Sequence, residues 1–262
     1  MAIAKDQDFV PETEWPSVSV MLDGFGQQTL PASDALVGTS LRIKDDQGVS
    51  CEYVFLDAAA LEWTSGDTRG SSPYKAIEAR PGIFIIDFVR GEDLQAENVT
   101  IILDRNTGAV TTGISRLVDV NGKVRATTGF SHENLDGGAA HERSDALVGK
   151  RIFYRYSDVE TYEHIYLNRG TFTWHCLRGG EAGLADTDRC ATWQVADDLF
   201  IFFWTEKVMT VEAVLLVDLK HQRSIGRMFG WDDTLGTTLV LPFNSRLSVL
   251  NTTDYPEDHS KG

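Results

Sequence analysis

The hydrophobic pattern of this chain shows little helical periodicity and breaks instead into short runs rich in β-branched and aromatic residues. Ser40 to Lys44, Glu52 to Leu56, Gly82 to Phe88 and Val99 to Leu103 are such runs, bounded by turn signals like Asp46-Gln47-Gly48 and Asn106-Thr107-Gly108. A second series follows: Lys150 to Tyr156, Tyr162 to Leu167, Thr171 to Cys176, Ala191 to Val195, Leu199 to Glu206, Ala213 to Leu219 and Ser224 to Phe229. Spacing of about ten residues predicts antiparallel meanders. A meander that must bury one face and protect its edges closes most economically into an up-and-down barrel or a strongly bent sheet. Small barrels of this kind hold one ligand in the mouth.

The two series are copies of one unit. Ser33-Asp34-Ala35-Leu36-Val37-Gly38 returns unchanged as Ser144-Asp145-Ala146-Leu147-Val148-Gly149, and the same offset places Glu52 on Glu163 and Trp63 on Trp174. With small shifts Phe84 meets Phe200, Phe88 meets Trp204 and Asp104 meets Asp218. The fold expectation is therefore all-β, with two tandem antiparallel barrel units: residues 1–131, a linker over 132–143, and residues 144–262. Thr29 to Val37 and its twin near Ser144 read as a short capped helix or turn, and the residues after Asn251 as a polar tail. The repeat also supplies an internal comparison. Residues shared by both copies are scaffold candidates, and titratable or aromatic clusters carried by one copy are candidates for chemistry. The second copy holds nearly all of them, leaving the first as a degenerate, structural twin.

Composition narrows the partners. A net charge of −15 with 24 Lys and Arg gives no concentrated basic surface, so nucleic acid and anionic membranes are not expected partners. No run approaches the roughly 18 apolar residues of a membrane helix. Met1 to Asp8 lacks the regions of a secretory signal, and three cysteines cannot all pair within one chain, which points to a reducing cytoplasm.

Tyr154 and Tyr156 lie two apart and share one strand face, where the first copy has Ile43 and Asp45. Facing a cavity, they donate hydrogen bonds to a carboxylate or carbonyl; otherwise they are core tyrosines with hydroxyls at the rim. Tyr162, His164 and Tyr166 share another face. Glu163 matches Glu52 and reads as structural, whereas His164 replaces Tyr53 and His175 replaces Thr64. The two histidines supply an acid-base group, two metal ligands with Asp186 or Asp188, or satisfied polar groups in a core. Trp204-Thr205-Glu206 places a carboxylate beside an indole, where a dry pocket raises its pKa toward use as a general acid; the first copy has Phe88 and Arg90 there. The alternative is an exposed strand end. Phosphate loops, dinucleotide fingerprints, nucleophile elbows and paired Cys-x-x-Cys are missing from the sequence, and Gly24-Phe25-Gly26 is too short to count.

These residues carry two resemblances. Leu147-Val148-Gly149, Tyr154-x-Tyr156, Tyr162-Glu163-x-Ile165-Tyr166 and Trp204-Thr205-Glu206 are similar in order and spacing to the phenolic acid decarboxylases, calycin-like barrels that act without cofactors and form dimers. The whole two-copy chain, with His164, Trp174-His175-Cys176 and Gly183 to Asp188, more closely resembles the MoaF family. The first resemblance implies lipocalin/calycin-like units, a substrate met by Tyr154, Tyr156 and Glu206, and protonation of a para-hydroxycinnamate alkene before carbon dioxide leaves. It also calls for an arginine near Gly183 or Leu184, where none stands; Arg178 or Arg189 would have to reach that space, or His175 replace it. If the second family's name is expanded as molybdenum cofactor biosynthesis, this acidic chain offers no site for a pterin phosphate or molybdate.

The leading expectation is a cofactor-free acid-base enzyme of lyase or isomerase type acting on a small aromatic or enone-like molecule. Glu206 donates the proton, Tyr154 and Tyr156 hold the substrate, His164 or His175 is the second acid-base group, and Trp174, Trp193, Trp204, Tyr166 and Arg178 line the pocket. The main rival is a lipocalin-like protein that carries a small hydrophobic ligand unchanged, and a third is a metal enzyme built on the histidines. A homodimer stays open.

Overall fold

The repeated hexapeptide makes the same turn twice. In each copy the serine hydroxyl accepts the N–H of the alanine two residues on, at 3.3 Å in the first and 3.2 Å in the second. The closing glycines adopt φ +74° and +85°, a left-handed conformation open to glycine at no steric cost. Their N–H groups donate to Phe55 and Tyr166, pinning the turn to the strand beyond, while Leu36 and Leu147 are buried in the two cores. Ala35–Gly38 and its twin are thus turns, without a helix.

The computed structural model describes residues 10–21 and 24–256; the Met1 to Asp8 reading and the end of the polar tail lie outside the described residues. In the first unit β1 (Ser40–Lys44), β2 (Ser50–Phe55), β3 (Ala60–Ser65), β4 (Thr68–Arg80), β5 (Ile83–Arg90), β6 (Glu97–Asp104), β7 (Ala109–Val120) and β8 (Lys123–Asn134) each bond to the next, forming a curled half-barrel. The second unit repeats them as β10 (Lys150–Arg155), β11 (Thr161–Asn168), β12 (Thr171–Arg178), β13 (Ala185–Ala196), β14 (Leu199–Thr205), β15 (Val211–Asp218), β16 (Arg223–Asp232), β17 (Thr237–Pro242) and β18 (Ser245–Thr252). Between them β9 (Glu142–Arg143) adds a short edge to β13. Here β18 lies between β16 and β10, and β12 pairs with β13, so the sheet closes into an eight-stranded antiparallel barrel.

Several strands carry weak sequence signals. β4 contains Gly70 and Pro73, and Pro73 stands at the corner where β4 leaves β3 to pair with β5. β7, β8 and β18 are interrupted by Thr, Ser, Gly and charged residues, and β17 is a short strand that ends in Pro242. The tail begins later than expected, because β18 runs to Thr252 and Thr253 N–H donates to Gly149 O.

The continuous apolar runs are strands buried on both faces. β15 is buried at all eight positions. Ala213, Leu215 and Val217 face the barrel core, whereas Val214 and Leu216 pack with Ile201, Ile77, Ile85 and Ile102 in a core between the units. Burying each such aliphatic side chain contributes roughly 1.5–3 kcal/mol, so the units are fastened across this face. Polar groups punctuate it: Arg80 grips Asp218 at 2.6 Å, and buried Arg227 donates to Thr100, Ser115 and Glu212. No helix among the described residues is long and apolar enough to cross a membrane.

The N-terminal segment leaves its own unit and straps the mouth of the second barrel. Val18 and Phe25 are part of that barrel's core, Trp15 meets Trp174 edge to face, and Gln27 exchanges two hydrogen bonds with Asp158. A Cβ on Gly24 would stand 2.3 Å from Glu160 Cγ, so only glycine lets the strap lie this close.

Candidate functional site

Strand alternation sorts the expected residues. Tyr154 on β10, Tyr162, His164 and Tyr166 on β11, Trp174 on β12 and Trp204 on β14 all point into the barrel, and Tyr156 just beyond β10 joins them. Deep in the barrel the Tyr154 and Tyr166 hydroxyls bond each other at 2.6 Å, above Phe172 and Phe202. Tyr154 is therefore committed to its neighbour, and its ring lies 4.3 Å from that of His164.

Nearer the mouth Tyr162, His164, Trp174, Trp204, Met228 and Phe243 surround a void of about 10 Å³ with two acids, Glu206 and Glu181. That is room for about one water. Tyr162 Oη donates to Glu181 Oε2 at 2.7 Å and Trp204 Nε1 to Glu206 Oε1 at 3.4 Å. Four buried polar atoms have no partner: Tyr156 Oη, His164 Nδ1, Glu181 Oε1 and Glu206 Oε2. Asp188, behind Trp174, accepts its indole N–H at 2.9 Å.

Burial dominates the electrostatics. It pushes the Glu206 carboxyl well above the usual carboxylate range, and the neighbouring acids Glu181 and Asp188 add to the rise. Glu181 is raised by burial, against its bond from Tyr162. His164 is pushed down to about 3 by burial alone, so it is neutral. Burial also raises the phenols of Tyr156 and Tyr162 well above their ordinary range, keeping them donors. The arrangement offers a protonated acid, a neutral imidazole and two phenols in a dry aromatic box.

Three expected members stand elsewhere. His175 alternates with Trp174 and so faces outward, where it meets Glu163, itself held by Arg151. Trp193 belongs to the core between the units, against Phe130, with Arg143 over its ring. Arg178 is exposed and donates to the backbone of Asp158, and Arg189 is exposed as well. The metal reading loses its geometry, because His164 is inside the wall and His175 outside, while Asp186 pairs with Lys207 and Asp188 with Trp174. The stretch expected to supply an arginine supplies Glu181 instead. Sequence reasoning missed that residue, whose signal was a lone acid in Gly179-Gly180-Glu181-Ala182-Gly183, and missed the strap residues Trp15 and Phe25.

Comparison with known proteins gives two matches to family models, the MoaF N-terminal domain over residues 13–119 and the MoaF C-terminal domain over residues 141–253. Protein MoaF of Klebsiella aerogenes is 33% identical over 223 residues, covering 79% of this chain and 83% of that protein. Among solved structures, a putative beta-lactamase from Burkholderia vietnamiensis covers 40% of this chain and 95% of its own at 20% identity, with a TM-score of 0.34, too low to carry an argument.

Proposed function

The chain belongs to the MoaF family, and from that premise and the barrel interior we propose a cofactor-free acid-base reaction on a small aromatic or enone-like molecule. Glu206 donates the proton, Tyr156 and Tyr162 orient the substrate, and His164 is the second acid-base group. The observation that carries this reading is the set of three partnerless buried atoms on residues lining one void, His164 Nδ1, Glu181 Oε1 and Glu206 Oε2. Each unsatisfied group costs roughly 1–3 kcal/mol, a cost a ligand with matching donors and acceptors removes. Structural cores seldom retain so many together.

The same geometry limits the substrate's charge. Two acids and no cation line the void, so a substrate carboxylate would find no counter-charge to hold it. A para-hydroxycinnamate is a poor fit, and an uncharged phenolic enone a better one. Its ring takes the place of Phe25, which stacks on Phe243 at 4.7 Å and lies 4.8 Å from Tyr156, so binding requires the strap to lift.

The rival reading, a carrier for a small hydrophobic molecule, draws on the aromatic box alone and needs no titratable group. Incubation with 4-hydroxybenzalacetone, followed by ultraviolet absorbance of the conjugated alkene, separates the two. Turnover in the wild type that falls at least about 100-fold in Glu206→Gln, the low end for a lost general acid, supports catalysis. Tryptophan quenching without turnover, unchanged in Glu206→Gln, supports carriage.

A further inference from the structure

Outside the barrel, a second cavity of about 250 Å³ opens between the two units. Its apolar wall is Ile77 and Ile85 from the first unit with Val240 and Pro242 from the second, Lys75 and Arg227 supply its cations, and Asp87 lines it as well. This is roomier than the barrel void and smaller than the ~300–1,000 Å³ of sites for drug-sized ligands.

The two cations differ in what they have left to give. Arg227 is 3% exposed and each of its three nitrogens is engaged, by Thr100, Glu212 and Ser115, with Asp87 at 3.4 Å. Asp87 in turn accepts from Asn98 at 3.1 Å and Thr100 at 2.9 Å. It is the register partner of Lys75 across β4 and β5, yet it is turned to this network and forms no ion pair with the lysine. Lys75 is half-buried, and burial lowers its pKa with no charged neighbour offsetting the cost. A part-buried ammonium that forms no ion pair, beside an apolar recess, is complementary to an anion with an apolar body.

We infer that the cleft between the units binds a small monocarboxylate, its carboxylate on Lys75 and its apolar body against Ile77, Ile85, Val240 and Pro242. The site is independent of the barrel reaction. Its preference also differs from the barrel's, since the cleft offers a cation to a carboxylate and the barrel void has none.

Isothermal titration calorimetry of the full chain with benzoate, against its neutral isostere benzamide, tests this. The expected result is saturation near one equivalent for benzoate, with benzamide at least tenfold weaker. Lys75→Met should weaken benzoate at least tenfold, Lys75→Arg should keep it within a few-fold, and Val240→Trp, which fills the rim, should abolish it. Absence of saturable benzoate binding, equal affinity for benzamide, or an undiminished affinity in folded Lys75→Met or Val240→Trp would each overturn the assignment.

Discussion

Replacing Phe25 with Ala separates the strap from the barrel it covers. The ring is 1% exposed and contacts Phe243, Tyr156 and Tyr162 at centroid distances of 4.7, 4.8 and 5.9 Å. Truncating a buried phenylalanine costs roughly 3–5 kcal/mol. The strap is held otherwise by Trp15, Val18 and the Gln27–Asp158 bonds, so the loss falls on its open-to-closed balance before it falls on global unfolding. At about 1.4 kcal/mol per tenfold, even the lower figure raises the open population by more than ~100-fold. Cys176 reports that opening: it is fully buried in the barrel wall opposite Tyr162, and burial pushes its thiol up to about 11. Cys51, equally buried in the first unit, is the internal reference. Alkylation by iodoacetamide, read by peptide mass spectrometry, should accelerate at least about 100-fold at Cys176 and hardly at all at Cys51. Equal acceleration at both thiols would mean global loosening, and no acceleration at Cys176 would mean that Phe25 does not hold the mouth shut. Either result refutes the strap.

Arg227→Met should destabilise the chain by roughly 3–5 kcal/mol in urea unfolding, because Asp87 and Glu212 are left buried without their cation; the same change at exposed Arg155 should cost less than about 1 kcal/mol. His164 is held at about 3, below its unfolded value near 6.5, so the stability its neutral form contributes is present above pH 6.5 and lost as pH falls toward 3. The wild-type curve should therefore fall more steeply than that of His164→Phe, by about 1.4 kcal/mol per pH unit, between pH 6 and 4 in denaturant titrations; parallel curves would remove the buried neutral imidazole. The raised Glu206 carboxyl acts in the opposite sense, its contribution being present below the ordinary glutamate range and lost as pH rises through its raised value. Glu206→Gln, which cannot ionise, should accordingly gain stability on the wild type as pH rises above about 5, measured by the same titrations.

What the sequence made legible followed the two-residue period. Tyr154, Tyr156, Tyr162, His164 and Tyr166 obey it and all turn inward. His175 violated it, since Trp174 beside it had to face the other way if it lined the barrel. Trp193 misled for a different reason: the outer face of β13 is covered by the first unit, and an aromatic residue there is as buried as one inside. Glu181 lies on a turn, where no periodicity speaks, and the first copy has no glycine-rich counterpart to compare. The strap was illegible because Trp15 and Phe25 precede the repeat and pack on the unit more distant in sequence. Glu206 and His164, both carried by the second copy alone, line the void.

Why the second copy closes while the first stays open is visible in the last strand of each. β8 pairs with β7 at every position from Lys123 to Asn134, so it never leaves β7 to reach β1; the two edges meet only through side chains, Glu133 accepting from Lys44 N–H and Ser131 donating to Lys44 O. In the second copy the corresponding strand is broken at Phe243-Asn244. β17 stays on β16, the same register continues into β18, and β18 then swings onto β10. Asn244 secures the break, its side-chain oxygen accepting from Gly226 N–H and its nitrogen donating to Thr29 Oγ1. The Phe243 N–H still donates to Gly226 O, while its ring turns inward against Phe25, Tyr156 and Trp204. One irregularity thus both closes the barrel and supplies a wall of the void. Glu206 and Glu181 both lie at that void, and burial is the largest cause of their raised pKa values. In the open first unit the positions equivalent to Trp204 and Glu206 are Phe88 and Arg90, so the buried acid at this place belongs to the second copy alone.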